Sequence, residues 1–577
     1  MAQDQLKIFI AQQNYHIGNF DSNLAKILEA VSKARAAGAD LVVFSELSVC
    51  GYPPRDFLEF GDFIARCRQS VETVASQTEG IGVILGAPSV NPSPQGKRLY
   101  NSGLLLQDGK VAQVIHKTLL PNYDIFDEYR YFEPAKEWSI LRFKGWKIAL
   151  TICEDIWNLG DHPLYPICPM DRLMVEGPDL MINISASPFD YQQKDNRTET
   201  IRRNVEKYRL PLIYCNAVGA QTELVFDGAS LVFDREGKIL HQLPYFREAC
   251  LEVMVGKGSG SSGRDVGKGV AGGSGEFKPS PRFLAGVSQV MEDYDPERNI
   301  EEIHGALILG IRDYFSKMGF SGAVLGSSGG VDSAVTLAIA VEALGKEKVR
   351  ALLMPSPFST EHSIQDALEL SDRLGNQAEK VRIDGIFSRF LETLEPIFGN
   401  SDPGLSEENL QARIRGNILM AVANRFGMIL LNTSNKSELS TGYGTLYGDM
   451  AGGLSVIGDL YKTQVYAMAR YLNRKKTLIP ENILRKAPSA ELRPGQKDTD
   501  SLPEYEILDP VLYSYIEKRL GPGEITAEGY DPSLVARVLK LVNASEYKRN
   551  QFCPILRVSL KAFGMGRRMP IVGKYLG

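Results

Sequence analysis

Over the first 255 positions, short apolar runs alternate with longer stretches whose apolar residues recur at helical spacing. Lys7–Ala11, Leu41–Phe44, Ile81–Gly86, Ser102–Leu106, Lys147–Ile152, Leu180–Ile184 and Leu212–Asn216 read as strands. Leu24–Ala37 and Phe57–Gln77 read as helices between them. That rhythm predicts an α/β sandwich rather than an all-β domain. Two hairpins punctuate it. Leu104-Leu105-Leu106 passes through Gln107-Asp108-Gly109-Lys110 into Val111–Ile115, with an Asp-Gly turn signal. Ala229–Phe233 turns at Asp234-Arg235-Glu236-Gly237 before Ile239.

From Gly256 to Phe277 the pattern disappears: glycine and serine dominate and large apolar residues are almost absent. This predicts a flexible linker at 256–280 between a domain at 1–255 and another at 281–577. Beyond it, Ile300–Met318 reads as a helix, Ala323-Val324-Leu325 as a buried parallel strand and Ala334–Leu344 as a helix. Strand Val349–Met354, helix Glu361–Leu374, strand Lys380–Ile383, helix Ser406–Phe426, strand Met428–Leu431 and helix Lys462–Asn473 continue the series. Parallel strands joined by helices place ligands outside the strand C-termini.

At 577 residues the chain is too long for one core. Hydrophobic residues at 44% and charged residues at 23% are those of an ordinary globular protein. A net charge of −5 gives no footprint for nucleic acid or an anionic membrane. No apolar run approaches the roughly 20 residues of a membrane helix, and the first residues enter a strand without a signal-peptide pattern. Seven cysteines, with no Cys-x-x-Cys pair, argue against a disulfide frame or zinc site, and six scattered histidines add no ligand spacing. The expectation is a soluble, cytoplasmic protein without nucleic-acid or membrane partners.

Chemistry enters at Gly326-Ser327-Ser328-Gly329-Gly330-Val331-Asp332-Ser333. A strand, a glycine turn and a helix start make an anion site: bare glycines admit phosphate and free N–H groups point at it. Ser328 and Ser333 can donate to phosphate oxygens, and Asp332 can hold Mg²⁺. No Gly-Lys-Ser/Thr follows, so this is not a Walker A loop. Ser-Gly-Gly alone is a common turn; the strand–turn–helix setting favours the phosphate reading. The run resembles the loop of ATP pyrophosphatases, which adenylate a carbonyl oxygen and displace AMP with a nitrogen nucleophile.

Glu46, Lys117 and Cys153 each lie at or just beyond a predicted strand end. Singly, such residues are core or solvated surface. Together, Phe-Ser-Glu-Leu, Lys-Thr-Leu-Leu-Pro-Asn-Tyr and Ile-Cys-Glu-Asp-Ile-Trp resemble the Glu-Lys-Cys triad of the nitrilase/amidase superfamily. Leu120–Phe132 is similar to the glutaminase domain of glutamine-dependent NAD synthetases. A thiol attacks an amide as thiolate, so Cys153 needs a base, Glu46, and a cation for the oxyanion, Lys117. The resemblance implies that Tyr123, Ser187 and Lys194 hold glutamine. The other cysteines, at 50, 67, 168, 215, 250 and 553, read as structural.

The same family resemblance extends through the C-terminal half. Asn409-Leu-Gln-Ala-Arg-Ile-Arg-Gly implies contacts to deamido-NAD from Asn409 and Arg413; apart from that likeness, Arg413 and Arg415 read as a solvated or salt-bridged face. Asn432-Thr-Ser-Asn-Lys-Ser-Glu implies that Thr433 contacts ATP, and that Glu438 contacts deamido-NAD and joins Asp332 on Mg²⁺. Lys462 and Ser489 match further ATP contacts, and Lys548 a deamido-NAD contact. The implied fold is a four-layer αββα nitrilase-like sandwich followed by a Rossmann-like parallel α/β synthetase domain. The implied reaction amidates deamido-NAD to NAD using ATP and glutamine-derived ammonia, with a protected passage for ammonia and a homo-oligomer formed through the synthetase domain. A GMP synthetase-like amidotransferase is the rival; it needs a Cys-His-Glu set or a cysteine directly after the initiator Met, and position 2 is Ala. A tRNA-modifying enzyme fits the acidic balance poorly. A catalytically dead regulatory protein would not need all three triad residue types.

Overall fold

A computed structural model describes residues 4–159, 164–257, 293–399 and 404–573. Most of the predicted linker lies outside the described residues. The chain divides into two compact units: Met1–Pro188, Asp195–Gly219 and Phe226–Val290 form one, and Phe189–Lys194, Ala220–Val225 and Met291–Gly577 the other.

The first unit holds two six-stranded sheets. One runs, in spatial order, Ala249–Gly256, Gln5–Gln12, Leu41–Val43, Gly82–Val90, Leu99–Gln107 and Lys110–His116. The other runs Ile239–Gln242, Leu231–Phe233, Leu212–Asn216, Leu180–Ser185, Trp146–Ile152 and Leu141–Phe143. Ile8, Ile10, Val43, Ile84 and Leu105 of the first pack on Ile148, Leu150, Ile182 and Ile213 of the second, all buried. Each such side chain contributes about 1.5–3 kcal/mol by leaving water. Helices Phe20–Ala36 and Gly61–Ala75 lie against the first sheet. Ile201 and Val205 of helix Gln193–Tyr208 pack with Met181 and Leu212 of the second sheet. The four layers are therefore helix, sheet, sheet, helix. The predicted helix Phe57–Gln77 is broken: Arg55–Glu59 form a 3₁₀ turn, Phe60 is extended, and the α-helix starts at Gly61. Glycine inside a helix costs about 1 kcal/mol and is cheaper at its start.

The second unit carries a five-stranded parallel sheet, in order Gln377–Lys380, Val349–Leu353, Ala323–Gly326, Ile429–Asn432 and Leu454–Ser455. Strand order reverses direction at Ala323–Gly326, so a ligand crevice opens at its C-terminal end. The glycine loop lies there, and helix Val331–Leu344 begins at once after Gly330. The strand predicted at Lys380–Ile383 falls instead at Gln377–Lys380; beyond it Val381 and Ile383 N–H still reach the carbonyls of Leu353 and Pro355, but Pro355 has no N–H to return a bond, so the ladder ends. Helix Asp384–Phe398 was not anticipated. Nor was the helical cluster in which Tyr505–Ile516 packs on Pro532–Ala544 through Leu508, Leu512, Val538 and Val542. Under that cluster Lys436 Nζ is fully buried, 2.9 Å from Asp459 Oδ1, 2.8 Å from Glu517 Oε1 and 2.7 Å from Ser559 Oγ. Burial of an ammonium is sustained here by two carboxylates.

Candidate active sites

Strand Trp146–Ile152 ends in a sharp turn at Cys153, which adopts φ of +44°. A left-handed backbone costs a non-glycine residue about 1–2 kcal/mol. Asp155 holds that turn: its carboxylate accepts from Ile152 N–H at 3.0 Å and from Thr118 and Leu119 N–H at 3.0 and 2.8 Å. The turn bearing Cys153 is thereby tied to the segment bearing Lys117. Lys117 is fully buried; its Nζ lies 2.8 Å from Glu46 Oε1 and 2.8 Å from both carboxylate oxygens of Glu128. Burial alone would lower its pKa, but Glu128 and Glu46 outweigh burial and hold the ammonium charged. Burial, and then the charge of Glu46, push the Cys153 thiol up, and Lys117 opposes them.

The structure brings Glu46, Lys117 and Cys153 together and adds Glu128, which the sequence reading did not single out. Glu128 accepts from the Tyr52 hydroxyl at 2.8 Å, and burial raises its pKa to about 7 against the pull of Lys117. Tyr123 donates to Glu154 at 2.9 Å, and Tyr165 donates to the same carboxylate at 3.2 Å. Burial raises Glu154 to about 7. Its neighbours are two phenols, and Lys117 is the cation that lowers it. Ser187 is buried with its N–H on Asn216 Oδ1 at 2.9 Å. The side chain of Lys194 lies outside the described residues.

In the second unit, a cavity of about 440 Å³ opens at the glycine loop. Gly326, Ser327, Ser328, Gly330, Val331, Asp332 and Ser333 line it, with Asn409, Thr433, Glu438, Lys462, Ser489 and Lys548. Gly329 and Arg413 do not. Gly329, at φ of +77°, backs onto helix Glu361–Leu374. Arg413 Nε donates to the Leu446 carbonyl at 3.2 Å. Arg415 lines the cavity instead, with its Nε on the Met354 carbonyl at 3.0 Å and its pKa lowered by burial. Ser328 and Ser333 hydroxyls lie 3.2 Å apart, and Ser327 Oγ is buried with no hydrogen-bond partner.

Charge converges at one point of this cavity. Lys462 Nζ lies 2.5 Å from Asp332 Oδ2 and 3.7 Å from Glu438 Oε1. Asn435 caps helix Lys436–Thr441 through Glu438 N–H and donates from Nδ2 to Asp332 Oδ1 at 2.8 Å. Burial, then the charge of Asp332, push Glu438 well above the carboxylate range, and Lys462 opposes them. Lys548 Nζ sits on the carbonyls of Gly442 and Gly444 at 2.8 and 2.7 Å. Asn409 Oδ1 accepts from the Thr445 hydroxyl at 2.6 Å, and Ser489 Oγ donates to the Gln496 carbonyl at 2.6 Å.

A buried Glu–Lys–Cys cluster on a nitrilase-like sandwich stands in one chain with a parallel α/β unit that carries a glycine loop, and the comparisons make the whole a glutamine-hydrolysing carbon–nitrogen ligase. The carbon-nitrogen hydrolase family matches residues 7–255 and the NAD synthase family residues 303–552. The chain is 44% identical over 573 residues to a glutamine-dependent NAD(+) synthetase of Synechocystis, covering 98% of each chain, and 40% identical over 580 residues to that of Thermotoga maritima, covering 99% of each. It is also similar to the solved glutamine-dependent NAD+ synthetase of Acinetobacter baumannii in complex with ADP, at 37% identity, 98% coverage of each chain and a TM-score of 0.72. This chain belongs to the glutamine-dependent NAD(+) synthetase family.

Proposed function

We propose the following division of labour for the ATP-dependent amidation of deamido-NAD to NAD. The amidase domain, 1–255, frees ammonia from glutamine. The synthetase domain, 281–577, joined by a linker at 256–280, spends ATP on the nicotinate carboxylate.

In the first step the Cys153 proton passes to Glu46 and Sγ bonds the glutamine amide carbon. Lys117 stabilises the oxyanion. The C–N bond breaks as Glu46 returns a proton to the departing nitrogen, leaving ammonia and a γ-glutamyl thioester, which water then cleaves to glutamate. Glu128 supplies Lys117 with its second countercharge. Tyr123, Ser187 and Lys194 hold the substrate, and Glu154 receives its α-ammonium: a buried carboxylate that accepts from two phenols, and feels Lys117 through its charge, gains a cation in direct contact.

In the second step the carboxylate of deamido-NAD attacks the α-phosphorus of ATP. Diphosphate leaves, and ammonia then displaces AMP from the adenylate. Gly326–Ser333, Thr433, Ser489 and Lys462 hold ATP, while Asn409, Glu438 and Lys548 hold deamido-NAD. Arg415, facing the cavity, suits an anionic group there better than Arg413. The residues fit a magnesium ion: Asp332 and Glu438 meet at one point and raise each other's need for a cation, and two carboxylates plus phosphate oxygens make an oxygen-only donor set. Magnesium bound there offsets negative charge on the phosphates.

Ammonia passes to the adenylate without mixing with bulk water, since a protonated ammonium has no lone pair to attack with. The enzyme assembles as a homo-oligomer through the synthetase domain. Supporting this, helix Asp384–Phe398 leaves Ile386, Phe390 and Ile397 exposed, Ile397 at 77%. Among the described residues no helix is long and apolar enough to cross a membrane. The seven free thiols suit the cytoplasm.

The observation that carries this reading is the occurrence, in one chain, of the Glu46–Lys117–Cys153 cluster and the cavity where Asp332, Glu438 and Lys462 meet. It is tested with purified protein given deamido-NAD, magnesium, ATP and ammonium. Equimolar AMP and NAD are expected, and absence of AMP overturns it.

A further inference from the structure

A carboxylate offers four lone-pair positions, and three of those on Glu46 are taken. Oε1 accepts from Lys117 Nζ at 2.8 Å and from Asn101 Nδ2 at 2.7 Å. Oε2 accepts from the backbone N–H of Ala186 at 3.0 Å. One position on Oε2 is left to take a proton.

Asn101 also reaches the partner of the base. It lies on strand Leu99–Gln107, 1% exposed, and its backbone carbonyl accepts the Lys117 N–H at 2.8 Å. One residue therefore fixes the carboxylate of Glu46 by its side chain and the backbone of Lys117 by its main chain. Its own Oδ1 is buried without a partner. An unpartnered buried acceptor costs about 1–3 kcal/mol, so a residue needed only for packing would be better apolar. Turning the amide over would set Oδ1 against the Glu46 carboxylate, which fixes Nδ2 as the donor. The charged and titratable groups around Glu46 are Lys117, Glu128 beyond it, the Tyr52 phenol and the Cys153 thiol.

We propose that Asn101 is a positioning residue for amide hydrolysis: with Lys117 it occupies Oε1 of Glu46, leaving Oε2 to take the Cys153 proton, while its carbonyl holds Lys117 in register. This rests on the reading of Glu46 as the base.

The test compares Asn101→Asp, which keeps the shape but sets a second carboxyl against Glu46, with Asn101→Leu, which removes the donor, and Glu46→Gln. Glutamine hydrolysis is measured for kcat and KM, Cys153 alkylation by iodoacetamide for rate, and ammonium-driven NAD formation as the fold control. A positioned base is worth about 10²–10⁴-fold. Asn101→Asp is expected to lower kcat by about 100-fold, to slow alkylation in parallel and to leave glutamine KM within about threefold, because Asn101 touches the base and not the substrate. Should Asn101→Leu fail to fold, Asn101→Asp decides alone. Wild-type kcat in Asn101→Asp, with Glu46→Gln inactive, overturns the inference. Hydrolysis retained in Glu46→Gln overturns the reading beneath it.

Discussion

Lys462 Nζ lies 2.5 Å from Asp332 Oδ2, so the glycine loop meets the start of helix Lys462–Asn473 through one ion pair. Asp332→Asn keeps the shape and removes the charge. It is expected to lower NAD formation from glutamine and from ammonium alike, by about 100-fold or more, as for other lost charge-stabilising groups. Residual synthesis near wild type at saturating magnesium would remove Asp332 from the metal site.

Cys153→Ala separates the two reactions. Glutamine-driven NAD formation should vanish and ammonium-driven formation persist, read as AMP release from each nitrogen source. Loss of both in a folded variant would contradict the division of labour.

Glu128→Ala leaves the buried Lys117 ammonium with Glu46 alone. Breaking a buried pair costs about 3–5 kcal/mol, so the variant should unfold at markedly lower temperature by calorimetry and fail to hydrolyse glutamine. A variant with unchanged unfolding would mean that Glu46 suffices.

Glu154 gives a pH dependence. Burial raises its folded pKa from 4.5 to about 7. A carboxyl raised on folding contributes stability in full below its unfolded value, and that contribution is lost as pH rises through about 7. Thermal stability from this group should fall between pH 5 and 8, and Glu154→Gln should flatten the fall. Function runs the other way: an ionised Glu154 attracts the substrate ammonium, so glutamine KM should drop from pH 6 to 8 in wild type and not in Glu154→Gln.

Lys436→Met leaves Asp459 and Glu517 buried without their cation. The expected loss is about 3–5 kcal/mol, measured by urea unfolding. A neutral result would show that the two carboxylates pick up protons at no cost.

Much of the sandwich and the strand–glycine turn–helix unit at Ala323–Leu344 was legible because each follows a local rule: short apolar strands, helices of period 3.6, a glycine turn between them. Leu212–Asn216, Ile300–Met318, Glu361–Leu374 and Lys462–Asn473 fall where their patterns put them. Glu128 was not legible. It sits in a one-turn helix, Glu128–Tyr131, among charges that read as solvated surface, and only the fold brings Lys117 to it. Arg413 and Arg415 differ by two positions, so at 3.6 residues per turn they leave their helix on nearly opposite sides. A motif alone cannot say which side faces the cavity. Asp384–Phe398 escaped because its apolar residues are split: Phe387 and Leu391 pack on the core of the parallel sheet, Ile386, Phe390 and Ile397 face outward, and Pro396 breaks the pattern near its end.

Gly329 contributes no surface to the cavity at the glycine loop, yet a β-carbon there would lie 2.2 Å from the Ser363 carbonyl oxygen. Helix Glu361–Leu374 and the loop can meet only across a bare α-carbon. Any replacement would have to displace a turn of helix before it touched the cavity, and Ser363 forms part of the cavity wall. How freely this pocket can be remodelled is therefore limited by an atom that is missing from a residue outside it.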